Sequence, residues 1–378
     1  MNEQSSRGLS AFELLAMSWS FDEEPVHSIF SQDGSFAAFL LTSGKLAIVR
    51  TSDAESPARR TVIDKESGRT TIRPRKVDPI PASILDVSAL THLPIARFGA
   101  QGFAIACKDG TIRQATARGL VIERVSSGSG PICAFNGDPS GEHLVFAREN
   151  EVFVTGTGTG NDAQLVSLKL DHQVTCLSGI AGDGKIAAWG EGSISILERS
   201  RDLKLQWSAD CVGEILSMNW NSQSTHVACG CAEKAMLVIN CVSRTVEKIG
   251  NFPREVRNAD FNDAGGALVA SGAFRLVGWK VSDLPENDHP GSPLSSGKPG
   301  FVVLEAIASH PTRNLVAAGY ENGMIALTSI GDPDELLLRN ASNEAITTMS
   351  WSPDGENLSV GDKAGESSIV AFPEQMFK

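Results

Sequence analysis

The chain of 378 residues contains one tyrosine, Tyr320, and only 6% of its residues are aromatic. A single-strand nucleic-acid groove needs aromatic platforms for the bases. Positive charge is scarce too: 33 Lys and Arg face 45 Asp and Glu, a net charge of −12. Phosphate backbones bind to positive fields, so nucleic acid is disfavoured as a partner. There is no run of about 18 apolar residues, so no membrane-spanning helix is expected. The opening MNEQSSRGLSAFELLAMSWSFDEE has one early arginine and a short apolar piece followed by acids, unlike a secretory leader. The expected location is the cytoplasm.

Reactive constellations are also missing. The seven cysteines (107, 133, 176, 211, 229, 231 and 241) are odd in number, and without a leader they read as reduced, buried thiols. Cys229 and Cys231 share one face of a strand, but Cys241 falls roughly 10 Å further along, too far for a tetrahedral site within the hairpin. The seven histidines are scattered, and none stands at a nucleophile–base spacing. The GTGTG run at 156–160 has no following Lys-Ser/Thr and opens no helix pattern, so it reads as a turn. No catalytic, cofactor-binding or metal-binding residue is assigned.

What the sequence does have is 36 glycines and a recurring grammar. The stretch ITTMSWSPDGENLSVGDKAGESSIVAF (346–372) alternates apolar runs with turns, and weaker copies start near residues 26, 131, 174, 215, 256 and 303. The turn between the second and third strands falls near Gly44, Gly110, Asn150, Gly192, Glu233, Ala273, Gly323 and Gly365, in steps of 66, 40, 42, 41, 40, 50 and 42. A period near 41 with two insertions denotes a repeat architecture. Asp109-Gly110 and Asn322-Gly323 are strong hairpin signals, because such pairs tolerate positive φ. The second copy, GFAIACKDGTIRQATARG (102–119), leaves its first strand open between SILDVSAL and PIARFG. A fourth strand follows several copies, as in LKLQWSAD (203–210) and ELLLRNA (335–341).

Four antiparallel strands at this period resemble the WD-repeat β-propeller family in degenerate form, over roughly residues 25–372. The Trp-Asp pair survives only as Trp279-Lys280 and the Gly-His pair only as Asp171-His172, so the hydrogen-bonded Ser/Thr–His–Trp–Asp arrangement is not expected. The expected fold is all-β: a single propeller over 1–378 with eight four-stranded blades, or seven if the second unit is misread. A ring leaves no free edge between its first and last blades. The last copy lacks an outer strand, so FELLAMSWSF (12–21) is expected to pair with SSIVAF (367–372) and close the ring.

Two insertions stand out as functional candidates. Residues 52–82 include seven cations between Arg59 and Lys76 against Asp64 and Glu66, a local charge of +5. Part of this segment is expected to form an outer hairpin with Gly68 in its turn. Residues 282–300, SDLPENDHPGSPLSSGKPG, read as a flexible loop, with the missing sixth outer strand near GFVV (300–303) and Ser292, Ser295 or Ser296 as modification candidates. Aligning the first strands on Trp351, Trp220, Phe261, Phe30 and Ala308 places Asp260 and Glu305 on the channel-lining face of adjacent units, near enough to approach each other.

The resemblance implies a non-catalytic scaffold, a propeller subunit holding other proteins in a multi-component assembly. The alternatives are an anionic-ligand module working through 59–76 and, less favoured, a channel-mouth hydrolase or lyase. Candidate partner-binding residues are Arg59, Arg60, Arg69, Arg73, Arg75, Lys76 and an exposed Tyr320, with one or more proteins bearing acidic surfaces as partners. Arginine and tyrosine are enriched at binding hot spots.

Overall fold

The computed structural model describes residues 10–63, 70–128, 130–157, 165–286, 289–373 and 376. These form eight four-stranded antiparallel sheets and one separate two-stranded hairpin. Blades 1 to 7 span 25–86, 96–125, 134–169, 176–210, 215–249, 259–296 and 304–339, and blade 8 spans 346–371 together with 16–20. The eight-blade reading holds. Both candidates for the ambiguous strand are strands, but of different blades: Ser83–Asp86 is the outer strand of blade 1, and Ala96–Arg97 is the inner strand of blade 2.

The second strand of each blade is sandwiched between neighbours and reads as a nearly unbroken apolar run, as in FAAFLL, HLVFAR and HVACGC. Strands buried on both faces need no alternation. The core is divided into eight apolar clusters, one per interface between successive blades. The cluster between blades 8 and 1 contains Met17, Phe30, Phe39 and Ile369, so the seam is packed like the other interfaces. Burying one Phe contributes roughly 1.5–3 kcal/mol.

The N-terminal segment completes blade 8. Ala16–Ser20 runs antiparallel to the third strand, with Ser18 opposite Ser368 and their hydroxyls 2.8 Å apart. The observed strand has five of the ten expected residues, and four of those lost, 12–15, belong to the helical turn Ala11–Leu15. Ser10 and Glu13 form a capping box: Ser10 Oγ accepts from the Glu13 N–H at 3.2 Å, and Glu13 Oε2 accepts from the Ser10 N–H at 2.7 Å. The turn directs Phe12 and Leu15 onto Trp351, Leu358 and Val370.

Two expectations are corrected. The sixth outer strand is Pro293–Ser296, not the segment near 300–303, and it pairs from Trp279↔Pro293 to Leu276↔Ser296. An outer edge strand tolerates a proline, which has no N–H to donate. Within the same insertion Ser292 Oγ donates to Asp283 Oδ2 at 2.6 Å, and Ser296 is buried. In blade 7, Ser309 rather than Ala308 occupies the place of Trp351, since Ser309 pairs with Val316 as Trp351 pairs with Leu358. This shift of one residue moves Glu305 to the other face of its strand. There it pairs with Arg257 of blade 6, Nε to Oε2 at 3.4 Å, rather than approaching Asp260.

Near the axis, hydrogen bonds link blade to blade. Arg97 Nε donates to Phe30 O at 3.0 Å, Asn136 Nδ2 to Leu177 O at 3.2 Å, and Trp220 Nε1 to Ser178 Oγ at 2.8 Å. Asn219 Nδ2 donates to Ala259 O at 2.9 Å, Asn262 Nδ2 to Arg313 O at 3.0 Å, and Trp351 Nε1 to Ala308 O at 3.0 Å. Gly99 N donates to Gly141 O at 2.8 Å, and at the seam Ser28 Oγ lies 2.9 Å from Ser359 Oγ. Each interface is therefore joined by polar contacts as well as packing, which makes the ring a stiff frame.

Candidate functional site

The basic insertion lies between the third and fourth strands of blade 1. Pro57–Arg60 forms a single helical turn, followed by a hairpin of Thr61–Ile63 with Thr70–Ile72. The hairpin expected from the sequence is present; Gly68 and Arg69 lie outside the described residues. Ile72 packs against the cluster containing Phe12 and Leu15, so the insertion braces the closing helical turn.

Its cations divide into two groups. Arg60 is only 7% exposed, and its guanidinium meets three carbonyls: Nε to Glu55 O at 2.7 Å, Nη1 to Arg73 O at 2.6 Å and Nη2 to Leu14 O at 2.5 Å. Burial and the nearby Arg75 push its pKa down. Arg75 makes a two-pronged contact with Asp53, with Nη1 donating to Oδ1 at 2.9 Å. Burial acts to raise the Asp53 carboxyl, but the hydrogen bonds from Arg75 and the Glu55 N–H outweigh it and hold the carboxyl below its ordinary range. Glu55 accepts from the backbone N–H groups of Lys76 and Val77 at 2.7 and 3.0 Å. Arg60 and Arg75 thus shape the insertion, while Arg59, Arg73 and Lys76 are exposed. Beside them Ile63 and Val77 are 65% and 63% exposed, and Ile80 and Ile84 are exposed as well.

Tyr320 does not join this surface, and its expected exposure is not observed. It ends the second strand of blade 7 and is 4% exposed within the cluster between blades 6 and 7. Burial pushes its phenol up to about 12.

The channel mouth on the side of the loops joining first and second strands holds a second polar region. A cavity of about 430 Å³ there is lined by Arg97, Asp260, Ser309, Ile307, Met349 and Trp351, among others. A second cavity, also about 430 Å³, shares Arg97, Pro139 and Asn219 with it. Burial raises the Asp260 carboxyl, opposed by Ser309 and by the Phe261 N–H, which donates to Oδ1 at 2.9 Å. Burial lowers the pKa of Arg97, yet a guanidinium stays charged in proteins.

Some structured features have only faint sequence signals. Five of the seven cysteines (176, 211, 229, 231 and 241) gather between blades 4 and 5. Burial pushes Cys176 and Cys231 up to about 12 and Cys211 and Cys241 up to about 11, so little reactive thiolate forms at neutral pH. In blade 4, His172 Nε2 lies 3.0 Å from Ser195 Oγ, which lies 2.8 Å from Ser208 Oγ. This chain, which runs from buried His172 and Ser195 to exposed Ser208, occurs where the Asp171-His172 remnant marks the sequence. Acidic turn residues also recur as clamps: Glu191, Glu233 and Glu321 accept from the backbone N–H of Gln173, Glu214 and Val303, the residues leading into their own blades' inner strands. Among the described residues, no three His, Cys, Asp or Glu side chains gather in a metal-binding group. Among the described residues, no helix is long and apolar enough to cross a membrane.

No protein-family model matches the sequence, and no curated protein matches it. Solved structures do match. The C-terminal WD40 domain of Sif2 is similar at 12% identity and TM-score 0.60, covering 94% of this chain and 99% of that one. The β-propeller domain of Cps50 (Swd1) from Myceliophteria thermophila is similar at 14% identity and TM-score 0.53, covering 74% and 96%. A chain from the Mitotic Checkpoint Complex is similar at 13% identity and TM-score 0.56, covering 81% and 100%. At such identities the likeness concerns the fold: this chain is an all-β, eight-bladed propeller similar in fold to WD40 β-propellers.

Proposed function

We propose that this chain is a non-catalytic, cytoplasmic scaffold, a single propeller unit over 1–378 that holds other proteins in a multi-component assembly. The observation that carries this reading is the construction of the basic insertion. Arg60 and Arg75 are committed to shaping it, and the result presents Arg59, Arg73 and Lys76 beside the exposed aliphatics Ile63, Val77 and Ile80. Mixed apolar and cationic surface on a stiff support suits a protein partner with an acidic rim around an apolar centre. The adjacent rim and outer strands offer room for the roughly 1,200–2,000 Å² of a stable interface. One structural neighbour comes from a named multi-protein complex, the Mitotic Checkpoint Complex, which is consistent with the same kind of role here. A small anionic ligand would have no use for the aliphatic side chains, so the protein reading is preferred over it.

The test is affinity purification from the native host with the wild type and the triple variant Arg59→Glu, Arg73→Glu and Lys76→Glu. These three side chains are exposed, so the variant is expected to keep the wild-type melting temperature and lose specific co-purifying proteins. Recovery of an identical set by both forms would overturn the assignment of this surface.

A further inference from the structure

The channel mouth contains two opposite charges that cannot satisfy each other. Arg97 belongs to the inner strand of blade 2 and Asp260 to that of blade 6. In a ring of eight, blades 2 and 6 stand four places apart, on opposite walls of the channel. Both residues line the same cavity. Among the described residues, neither forms an ion pair.

Most neighbouring charges are already engaged, and Asp263 stands near Asp260 as a second acid. Arg257 pairs with Glu255 and Glu305. Asp138 holds His143 at 2.9 Å, and Asp33 accepts from Ser31, Ser35 and Gln101. Among the described residues, Arg97 makes one side-chain hydrogen bond, from Nε to Phe30 O, and its two terminal nitrogens make none. Asp260 accepts from the Phe261 N–H and is faced by the hydroxyl and backbone N–H of Ser309, with no cation paired to it among the described residues. One buried polar atom in this cavity, Gln32 Oε1, lacks a hydrogen-bond partner. Ile307, Met349 and Trp351 contribute apolar edges to the cavity lining, each largely buried in the packing between blades.

Desolvating an unpaired charge is costly, so a cavity holding one of each sign favours an occupant that brings both complements. We propose that the channel mouth is a binding site for a small zwitterion, an amino-carboxylate whose anionic end meets Arg97, whose ammonium meets Asp260, and whose aliphatic spacer lies on Ile307, Met349 and Trp351. The guanidinium fork suits a carboxylate geometrically. The compact ammonium, with three donors, suits a carboxylate and its hydroxyl neighbour.

The site is tested on the full chain by isothermal titration and thermal shift with ε-aminocaproate as the probe. Caproate and n-hexylamine serve as controls bearing one charge each, and glycine as a zwitterion without an aliphatic spacer. The expected result is saturable binding of ε-aminocaproate at one site per chain, with each control weaker by about tenfold or more. Arg97→Gln and Asp260→Asn should each lower affinity by a similar factor. Asp260→Asn has nearly the same shape and leaves the Arg97–Phe30 link intact, so it remains informative if Arg97→Gln fails to fold. Absence of a binding isotherm at about 10 mM probe, equal binding of a singly charged control, or unchanged affinity in Asp260→Asn would overturn the proposal.

Discussion

The basic insertion and the channel mouth both concentrate charge, yet they handle it in opposite ways. In the insertion, ions are matched within one short stretch: Asp53 takes Arg75, Glu55 takes two backbone N–H groups, and Arg60 takes three carbonyls. At the mouth, Arg97 and Asp260 come from distant repeats and face each other across open space. The difference shows why charge density in a sequence is a poor guide to availability. A dense run contains its own partners, and its cations become partly architectural. A ring places isolated charges opposite one another, where the frame prevents pairing.

The sharpest way to break this contrast is to remove the most deeply committed insertion cation. Arg60→Ala strands the carbonyls of Leu14, Glu55 and Arg73 and detaches the insertion from the closing helical turn. Losing charge-assisted hydrogen bonds in a buried setting should cost about 2–4 kcal/mol, read as a lower midpoint in urea unfolding. If the midpoint does not move, Arg60 is not structural and returns to the list of recognition residues. The exposed Arg59 provides the control: Arg59→Ala, without a comparable buried network, should change stability by less than about 0.5 kcal/mol.

Asp53→Asn should have a smaller effect, about 1–2 kcal/mol, because one charged hydrogen-bonded pair is weakened and the acceptor shape is largely kept. Its pH dependence gives a second readout. The folded-state carboxyl is held below its unfolded value, so the stability it contributes is complete above about pH 4 and is lost as pH falls through the folded pKa. The variant should therefore show a shallower loss of stability in acid. An unchanged acid limb would mean that the Asp53–Arg75 contact contributes nothing in solution.

How far the fold was legible follows the same local-versus-distant division. Turns and second strands were readable because Asp-Gly and Asn-Gly pairs and unbroken apolar runs are local signals; Gly110 and Gly323 do take positive φ, at 79° and 82°. Blade 2 was ambiguous because Arg97 stands where four other inner strands carry Phe30, Trp220, Phe261 and Trp351, so the residue that made the strand hard to find is the one that charges the channel. Blade 7 slipped by one because Ala308 and Ser309 are both small and His310, which accepts from the Thr312 and Arg313 N–H groups through Nδ1, does not look like a turn residue. The sixth outer strand was missed because an exposed edge needs no apolar pattern. The helical turn at Ala11–Leu15 was announced by Ser10-x-x-Glu13, a capping-box spacing overlooked beside the strand reading. Tyr320 read as exposed only while its place at the end of VAAGY, a strand buried at every position, was unknown. Of the candidate site, the hairpin was visible in advance, whereas the division of its arginines into committed and exposed groups depends on contacts with Leu14 and Asp53 that no spacing rule reports.

The finest test of the contrast is the sign of a second aspartate's effect. Asp260 is half-buried, with no ion pair among the described residues, and its folded-state carboxyl lies above the unfolded value, raised chiefly by desolvation. Below about pH 4 both states are protonated and the group has little effect. As pH rises, the unfolded chain releases its proton first, so stability falls until the folded carboxyl also ionises, and the cost then stays constant. Asp260→Asn removes that cost while keeping an acceptor for the Phe261 N–H, so the variant should be no less stable than wild type at neutral pH, and more stable if the cavity is empty. This is the reverse of Asp53→Asn in both stability and pH profile, and it is measurable as a difference of melting temperatures between pH 4 and pH 7. If Asp260→Asn destabilises the ring at neutral pH, the carboxylate has a cationic partner inside the protein, and the mouth is not the unsatisfied site that its geometry describes.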